Sequence, residues 1–340
     1  MPTLKFNHSI LKFIQDKNGI KYNPEEWVEK MPSIGCVVEG NDESGIEIEI
    51  FPDRTDLLSH ETISRAARAF LNSAEYSPDF QILEGELSLT VDPSLENIRP
   101  IILAAVVRGV DNGSNSEQRN EFIQSLMEHQ EKLHLTLGRK RKFASIGVHD
   151  LSELKPPFNV ISVDKNHTFV PLAEKKEMTI EEILKSHPKG KEYADLMANM
   201  DKYPIIIDSR DKVLSFPPII NGDHTTVTEN TTDFFIDVTG WDERSCEACL
   251  LLICLSLAER GGVVESIQIK NWNGEISNIP RGDSKIHKVP ERLISKILGI
   301  ELDKSEIANA IKKIGGRLID SRTVTDGPDK AEKWADCVVG

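Results

Sequence analysis

The residues best placed to do chemistry sit in two nearby stretches. Val213-Leu-Ser-Phe-Pro-Pro-Ile-Ile-Asn-Gly222 carries a hydroxyl (Ser215) and an amide (Asn221) around Phe216-Pro217-Pro218. About a dozen residues on, Phe235-Ile-Asp-Val-Thr-Gly240 carries Asp237 and Thr239 among apolar residues. Proline has no N–H to donate, so Pro217-Pro218 ends a strand, and Asn221-Gly222 signals a hairpin. If the second stretch pairs back on the first, Ser215, Asn221, Asp237 and Thr239 cluster beside apolar side chains. An acid between Ile236 and Val238 faces the opposite side of a strand from both. It is then either a solvent-facing residue or the polar group of a pocket, and periodicity leaves both open. Ile206, in the preceding apolar run, is a further possible pocket residue.

His149, in Ser145-Ile-Gly-Val-His149-Asp150, has the chemistry of a general base, although a lone histidine at a strand end serves equally as a structural residue. Lys132 and Arg139-Lys140-Arg141-Lys142 form a basic patch in an otherwise acidic chain. They suit phosphate contact or, as readily, a solvated helix end whose dipole favours cations. GxSxG, P-loop and HExxH motifs are missing, so serine-hydrolase, P-loop nucleotide-binding and zincin mechanisms have no support. Cys246-Glu-Ala-Cys249 has no second pair at zinc spacing and opens the apolar run Cys249–Leu257. We read these two as core cysteines.

Positioning these groups takes more than one ordinary domain. The 340 residues, 39% hydrophobic and 28% charged, suit a soluble protein of two or three domains. The net charge of -14 argues against nucleic acid as a bulk ligand, but local patches matter more than the total. Five cysteines, odd in number and without framework spacing, fit a reducing cytoplasm. The start MPTLKFNHSILKF lacks a signal core, and the most apolar stretch, Leu250–Ala258, is about half a membrane span. No membrane association is expected.

The fold class expected is multidomain α+β and α/β. Residues 1–90 read as a small α+β domain, with a helix started by Asn23-Pro24, a strand alternating Ile46, Ile48 and Ile50, and a helix with Ile63, Ala66, Ala67, Phe70 and Leu71 on one face. The polar, proline-broken stretch 74–97 reads as a linker. Residues 91–275 alternate strands with helices in a mixed-sheet α/β domain. Its markers are the buried strand Ile101–Val107, a Thr179/Glu182 capping box and the long helix Asp242–Arg260. In 276–340, His287–Ile294 with Gly299-Ile300 repeats His8–Ile14 with Gly19-Ile20, and Ser305–Ile314 repeats the helix after Pro24. The second copy is expected to stop at Gly340 before its strand, turn and helix are completed, as in a chain cut inside a domain.

Eight motifs in order span nearly the whole chain: Pro52-Asp-Arg-Thr-Asp-Leu-Leu-Ser59, Ser145-Ile-Gly-Val-His-Asp150, Lys155-Pro-Pro-Phe158, Phe169-Val-Pro-Leu172, His187-Pro-Lys-Gly190, Leu214–Gly222, Ile236-Asp-Val-Thr-Gly240 and Ala258-Glu-Arg-Gly-Gly262. Together they resemble the beta subunit of archaeal/eukaryotic phenylalanyl-tRNA synthetase. That family's first turn usually reads Pro-Asn-Arg-Pro-Asp; here Asp53 and Thr55 stand in place of the Asn and the second Pro. The resemblance implies a catalytic alpha-subunit partner that uses ATP and Mg2+, an assembly of two alpha and two beta chains, and tRNA(Phe) as ligand. It implies an editing domain, 91–275, that hydrolyses tyrosine wrongly joined to that tRNA. The hydrolytic water would be positioned by the terminal ribose hydroxyl, with no nucleophilic side chain. The family's Mg2+ ligands would lie beyond Gly340, leaving this chain without metal, cofactor or aminoacylation of its own. An apolar pocket rejects an added hydroxyl by only about 10²-fold, so an editing site must hydrogen-bond the phenol, and Asp237 is then the acceptor with Ser215 and Thr239 beside it. The rival is a non-catalytic tRNA- or subunit-binding module with a vestigial pocket.

Overall fold

The computed structural model describes residues 3–72, 81–198, 200–282, 285–323 and 333–339. Two compact units emerge, one from residues 1–80 with 282–340 and the other from 81–281.

The first unit opens with β1 (Thr3–Asn7), α1 (His8–Lys17), α2 (Pro24–Lys30), β2 (Val37–Asn41), β3 (Gly45–Glu49) and α3 (His60–Asn72). The Asn23 side chain caps α2, accepting from the Glu25 and Glu26 N–H groups. The sheet order is β1-β3-β2, and Ile46 and Ile48 turn inward as their alternation requires.

The second unit holds β4 (Ile82–Val91), β5 (Ile101–Arg108), α4 (Ser116–Leu135), β6 (Ala144–Asp150), β7 (Phe158–Val163), β8 (Thr168–Phe169), β9 (Met178–Thr179), α5 (Ile180–Ser186), α6 (Pro188–Tyr193), β10 (Tyr203–Ile207), β11 (Val213–Phe216), β12 (Ile220–Asn221), β13 (Phe234–Gly240), α7 (Glu243–Glu259), β14 (Val263–Lys270) and β15 (Ile276–Ile279). Among the described residues its main sheet has ten strands in the order β12-β11-β10-β7-β4-β14-β5-β13-β6, with β15 on β14. β4 pairs parallel with both β14 and β7, and the other pairs are antiparallel. β13 is buried along its whole length between β5 and β6. α7 covers this part of the sheet with Cys246, Cys249, Leu250, Ile253, Cys254 and Leu257, all buried. Full burial stabilises by roughly 1.5–3 kcal/mol per large aliphatic side chain. Burial also pushes the Cys246 and Cys254 thiols up to about 12, as befits core cysteines. Thr179 and Glu182 form the expected capping box at α5.

Three expectations change. The stretch read as a linker contains β4, whose glutamates alternate with apolar residues at an incompletely covered part of the sheet. The turn after β11 is Pro217-Pro218-Ile219, closed by the Ile219 N–H donating to Phe216 O at 2.8 Å, rather than Asn221-Gly222. β13 does not pair back on β11, because β5 and β6 fill both its edges.

The first unit is completed by β16 (Lys285–Pro290), α8 (Glu291–Leu298), α9 (Lys304–Lys313), β17 (Gly316–Thr323) and β18 (Lys333–Val339). Their sheet order, β16-β18-β17, repeats that of β1-β3-β2. Gly19 and Gly299 both take positive φ after the first helix of each copy, and Gly35 and Gly315 do so after the second. Asp303 caps α9 as Asn23 caps α2. The second copy therefore runs through both strands, further than its sequence pattern indicates.

Candidate functional site

The sheet of the second unit brings its two ends together. Asn221 on β12 donates from Nδ2 to Val148 O on β6, 3.4 Å away, although the two strands stand at opposite ends of the order. A cavity of about 250 Å³ opens at this junction. Its walls are apolar, from Ile123 and Met127 of α4 to Phe216, Pro217, Pro218 and Ile219. Its polar lining includes Ser145, Asp237, Ser215, Asn221 and Glu131.

Asp237 is 1% exposed. Its Oδ2 lies 2.7 Å from His149 Nε2; Oδ1 has no protein partner among the described residues. Ser215 is similarly buried, and its Oγ is unpartnered among the described residues. An unpaired buried hydroxyl costs roughly 1–3 kcal/mol, so this pair of open positions on an apolar wall is suited to a ligand that is mostly apolar with a polar end.

One side of the cavity is held by Arg141. Residues Arg139, Lys140 and Arg141 are all left-handed, with φ of 48°, 54° and 65°, a conformation that costs roughly 1–2 kcal/mol per residue. The offset is visible in what Arg141 reaches. Nη1 donates to Pro218 O and Ile219 O at 3.2 and 3.0 Å, and Nη2 donates to Glu131 Oε1 at 2.5 Å. The guanidinium also stands 4.4 Å over the Tyr193 ring. The His134 ring N–H, and after it the Arg141 charge, hold the Glu131 carboxyl down to about 2 against burial. His134 accepts at Nε2 from the Ile146 N–H, 2.8 Å away, so its proton sits on Nδ1 facing Glu131. Burial lowers the pKa of this ring.

Ser215, Phe216, Pro217, Pro218, Asn221 and Asp237 thus meet at one cavity. The remaining expected residues lie elsewhere. Thr239 is fully buried and does not line it: its hydroxyl accepts from Arg99 Nε at 2.7 Å. Ile206 pairs with Ser215 across the β10–β11 ladder but is buried behind the lining. His149 is 0% exposed, with both ring nitrogens engaged, so it does not meet solvent as a base. Arg141 is buried and committed as above, which takes it out of the basic surface patch; Arg139, Lys140 and Lys142 remain exposed. Lys132, half-buried on α4, reaches Glu128 at 3.5 Å. Glu131, Thr225 and Gly147 join the lining without having been expected there. Of these only Gly147 carries a signal, a glycine inside a strand, which marks close approach of another group.

Residues 99–249 match the B3/4 domain family. The junction cavity therefore lies in a B3/4 domain, with all its lining residues inside the match. A crystal structure of an N-terminal fragment of the phenylalanyl-tRNA synthetase beta-subunit from Pyrococcus horikoshii superposes with a TM-score of 0.87 at 30% identity, covering 99% of this chain and 93% of that one. The phenylalanine–tRNA ligase beta subunit of Archaeoglobus fulgidus is 42% identical over 285 residues, 84% of this chain and 51% of the relative. That of Methanosarcina barkeri is 42% identical over 302 residues, 88% and 54%. The chain belongs to the phenylalanyl-tRNA synthetase beta-subunit family, and spans about half the length of the curated relatives it matches.

Proposed function

We propose that the 81–281 unit edits: it hydrolyses tyrosyl-tRNA(Phe) and spares phenylalanyl-tRNA(Phe). The observation that carries this is the pairing of two open polar positions, Asp237 Oδ1 and Ser215 Oγ, with the apolar wall of one cavity. An aromatic ring fills the apolar part, and its hydroxyl donates to Asp237. Phenylalanine leaves both groups unpaired and is refused. No side chain of the cavity is an activated nucleophile. Among the described residues, the hydroxyls lining it beside Ser215 are those of Ser145, Thr225 and Thr226, and the His149 imidazole behind the lining spends both nitrogens on Asp237 and Thr225. The attacking water is then oriented by the terminal ribose hydroxyl of the tRNA itself, and the chain contributes binding and orientation.

For the longer subunit, tRNA(Phe) and an alpha subunit are the partners, in a cytoplasmic assembly of two alpha and two beta chains, with ATP and Mg2+ serving aminoacylation. Among the described residues no group of three or more His, Cys, Asp and Glu comes together to hold a metal, so these residues do not fit Mg2+. The second reading, a tRNA- or subunit-binding module without hydrolysis, is favoured by the exposed Arg139, Lys140 and Lys142. Deacylation of tyrosyl-tRNA(Phe) by the 340-residue chain separates the two: release of tyrosine above the spontaneous rate supports editing, and its absence leaves the binding module.

A further inference from the structure

Asp237 lies directly opposite Gly147 in the β13–β6 ladder, not opposite His149. A Cβ on Gly147 would stand 2.0 Å from Asp237 Oδ2 and 2.6 Å from His149 Nε2. The missing side chain is thus the space through which the carboxylate reaches the ring diagonally. The other ring nitrogen, Nδ1, lies 2.8 Å from Thr225 Oγ1. Thr225 belongs to the short turn Asp223–Thr225 that follows β12, so the ring joins the two ends of the sheet. Asp237 and Thr225 line the cavity whereas His149 does not, and the imidazole bridges them from behind.

The donor roles follow from what each group has to give. A carboxylate only accepts, so Nε2 carries the proton and donates to Oδ2. On the other side of the ring, the Thr225 hydroxyl, 3.0 Å from Gly222 O and 2.8 Å from Nδ1, holds the imidazole in place. Within this three-residue relay, Asp237 Oδ1 is left as the atom with no protein partner among the described residues. Without the ring, a carboxylate 1% exposed would lose the donor that holds its Oδ2, and a buried charge so stripped takes up a proton or turns toward another partner. Either change spoils an acceptor.

We propose that His149 is a positioning residue. Held by Thr225, it donates to Asp237 Oδ2, keeps that group an acceptor, and leaves Oδ1 turned to the cavity for a phenolic hydroxyl. This rests on the editing reading of the cavity. Glycine at position 147 belongs to the same arrangement, because it alone leaves room for the diagonal pair.

The test has one arm that needs tRNA and one that does not. In the first, the ratio of tyrosyl- to phenylalanyl-tRNA(Phe) hydrolysis is measured for the 340-residue chain and for His149→Leu, His149→Gln and Thr225→Val. His149→Leu lowers the ratio about tenfold or more, the scale of one charged hydrogen bond. His149→Gln, whose side-chain amide donates from the position of Nε2, restores most of it. Thr225→Val keeps the ring but frees its orientation, and lowers the ratio part of the way; it serves also if the leucine variant does not fold. In the second arm, ¹⁵N spectra of histidine-labelled protein show a proton on His149 Nε2. A wild-type ratio in natively folded His149→Leu and Thr225→Val overturns the inference, and so does a ring whose only proton is on Nδ1. Failure of the wild type to hydrolyse tyrosyl-tRNA counts against the editing reading instead, and the ¹⁵N spectrum then decides the inference alone.

Discussion

Arg99 grips Thr239 twice: Nε donates to its hydroxyl and Nη2 to its carbonyl, both at 2.7 Å. Nη2 also donates to Ser145 Oγ and to Arg141 O, at 3.2 and 3.1 Å. One guanidinium therefore ties β13, β6 and the left-handed turn together two residues from Asp237. Burial pulls Arg99 down to about 10, yet at neutral pH it stays charged. Arg99→Met leaves those acceptors buried and unpaired, and should destabilise the second unit by roughly 2–4 kcal/mol. A lowered urea midpoint with an unchanged slope is the expected result; a wild-type midpoint contradicts it.

Gly147→Ala tests how tightly the site is built. The added methyl would sit 2.0 Å from Asp237 Oδ2, so the carboxylate must leave His149 or the strands must part. Overpacking of this kind costs roughly 1–3 kcal/mol. Thermal denaturation should show the loss, and tyrosyl-tRNA hydrolysis should fall more than stability alone explains. A variant as stable and as selective as the wild type would show that the strands shift freely.

Acid should weaken the fold through His134. Its folded pKa is lowered by burial, so the unfolded chain takes up a proton first as pH falls. The stability tied to the neutral ring is present above the unfolded pKa of about 6.5 and is lost progressively as pH falls from there toward the folded value. The urea midpoint should drop as the pH is lowered through this range. His134→Gln, whose amide oxygen still accepts from the Ile146 N–H, should show a smaller drop. An equal drop in both would assign the effect to other groups.

The basic segment divides into two roles. Arg139, Lys140 and Lys142 are exposed, whereas Arg141 is 8% exposed and bound to Pro218, Ile219 and Glu131. Replacing the exposed three by alanine should weaken tRNA binding for any sequence and flatten its salt dependence by about 0.7–0.9 in slope for each phosphate no longer neutralised. Stability should barely change. Arg141→Ala should do the reverse first, lowering the denaturation midpoint by opening the Pro217-Pro218 side of the cavity. An unchanged salt slope in the triple variant would return those residues to ordinary solvated surface.

Local chemistry dictates the parts of the fold that are legible in the sequence. The capping of α2 and α5, the buried run of β5 and the length of α7 follow from cap residues and periodicity, and each stands where expected. The repeat is legible because its glycines and caps recur at fixed spacing. β4 and β7 are not, because their alternation is diluted by polar residues. At the site, Ser215 and Asp237 stand out as polar residues inside apolar strands. Their meeting does not follow from the hairpin expected for them: they come together because the sheet closes its ends, a long-range event with no local signature. Arg141 looks like surface because its neighbours are, and only the left-handed turn carries it inward. Thr239 is hard to place for a related reason, since its partner Arg99 is 140 residues away.

The measurement closest to the central claim is the ratio of tyrosyl- to phenylalanyl-tRNA(Phe) hydrolysis in Asp237→Ala. The substitution removes the open acceptor while β13 stays held by β5 and β6. The lost interaction is about one charged hydrogen bond, roughly 1.5–3 kcal/mol, so tyrosyl-tRNA hydrolysis should fall about ten- to more than a hundredfold if the bond is made in the transition state. Phenylalanyl-tRNA hydrolysis should fall less, or rise, because the buried carboxylate that penalised it is gone. The ratio is insensitive to the fraction of folded protein. A fall of about tenfold or more is the expected result; a wild-type ratio would make Asp237 a strand residue and place the reading of tyrosine elsewhere.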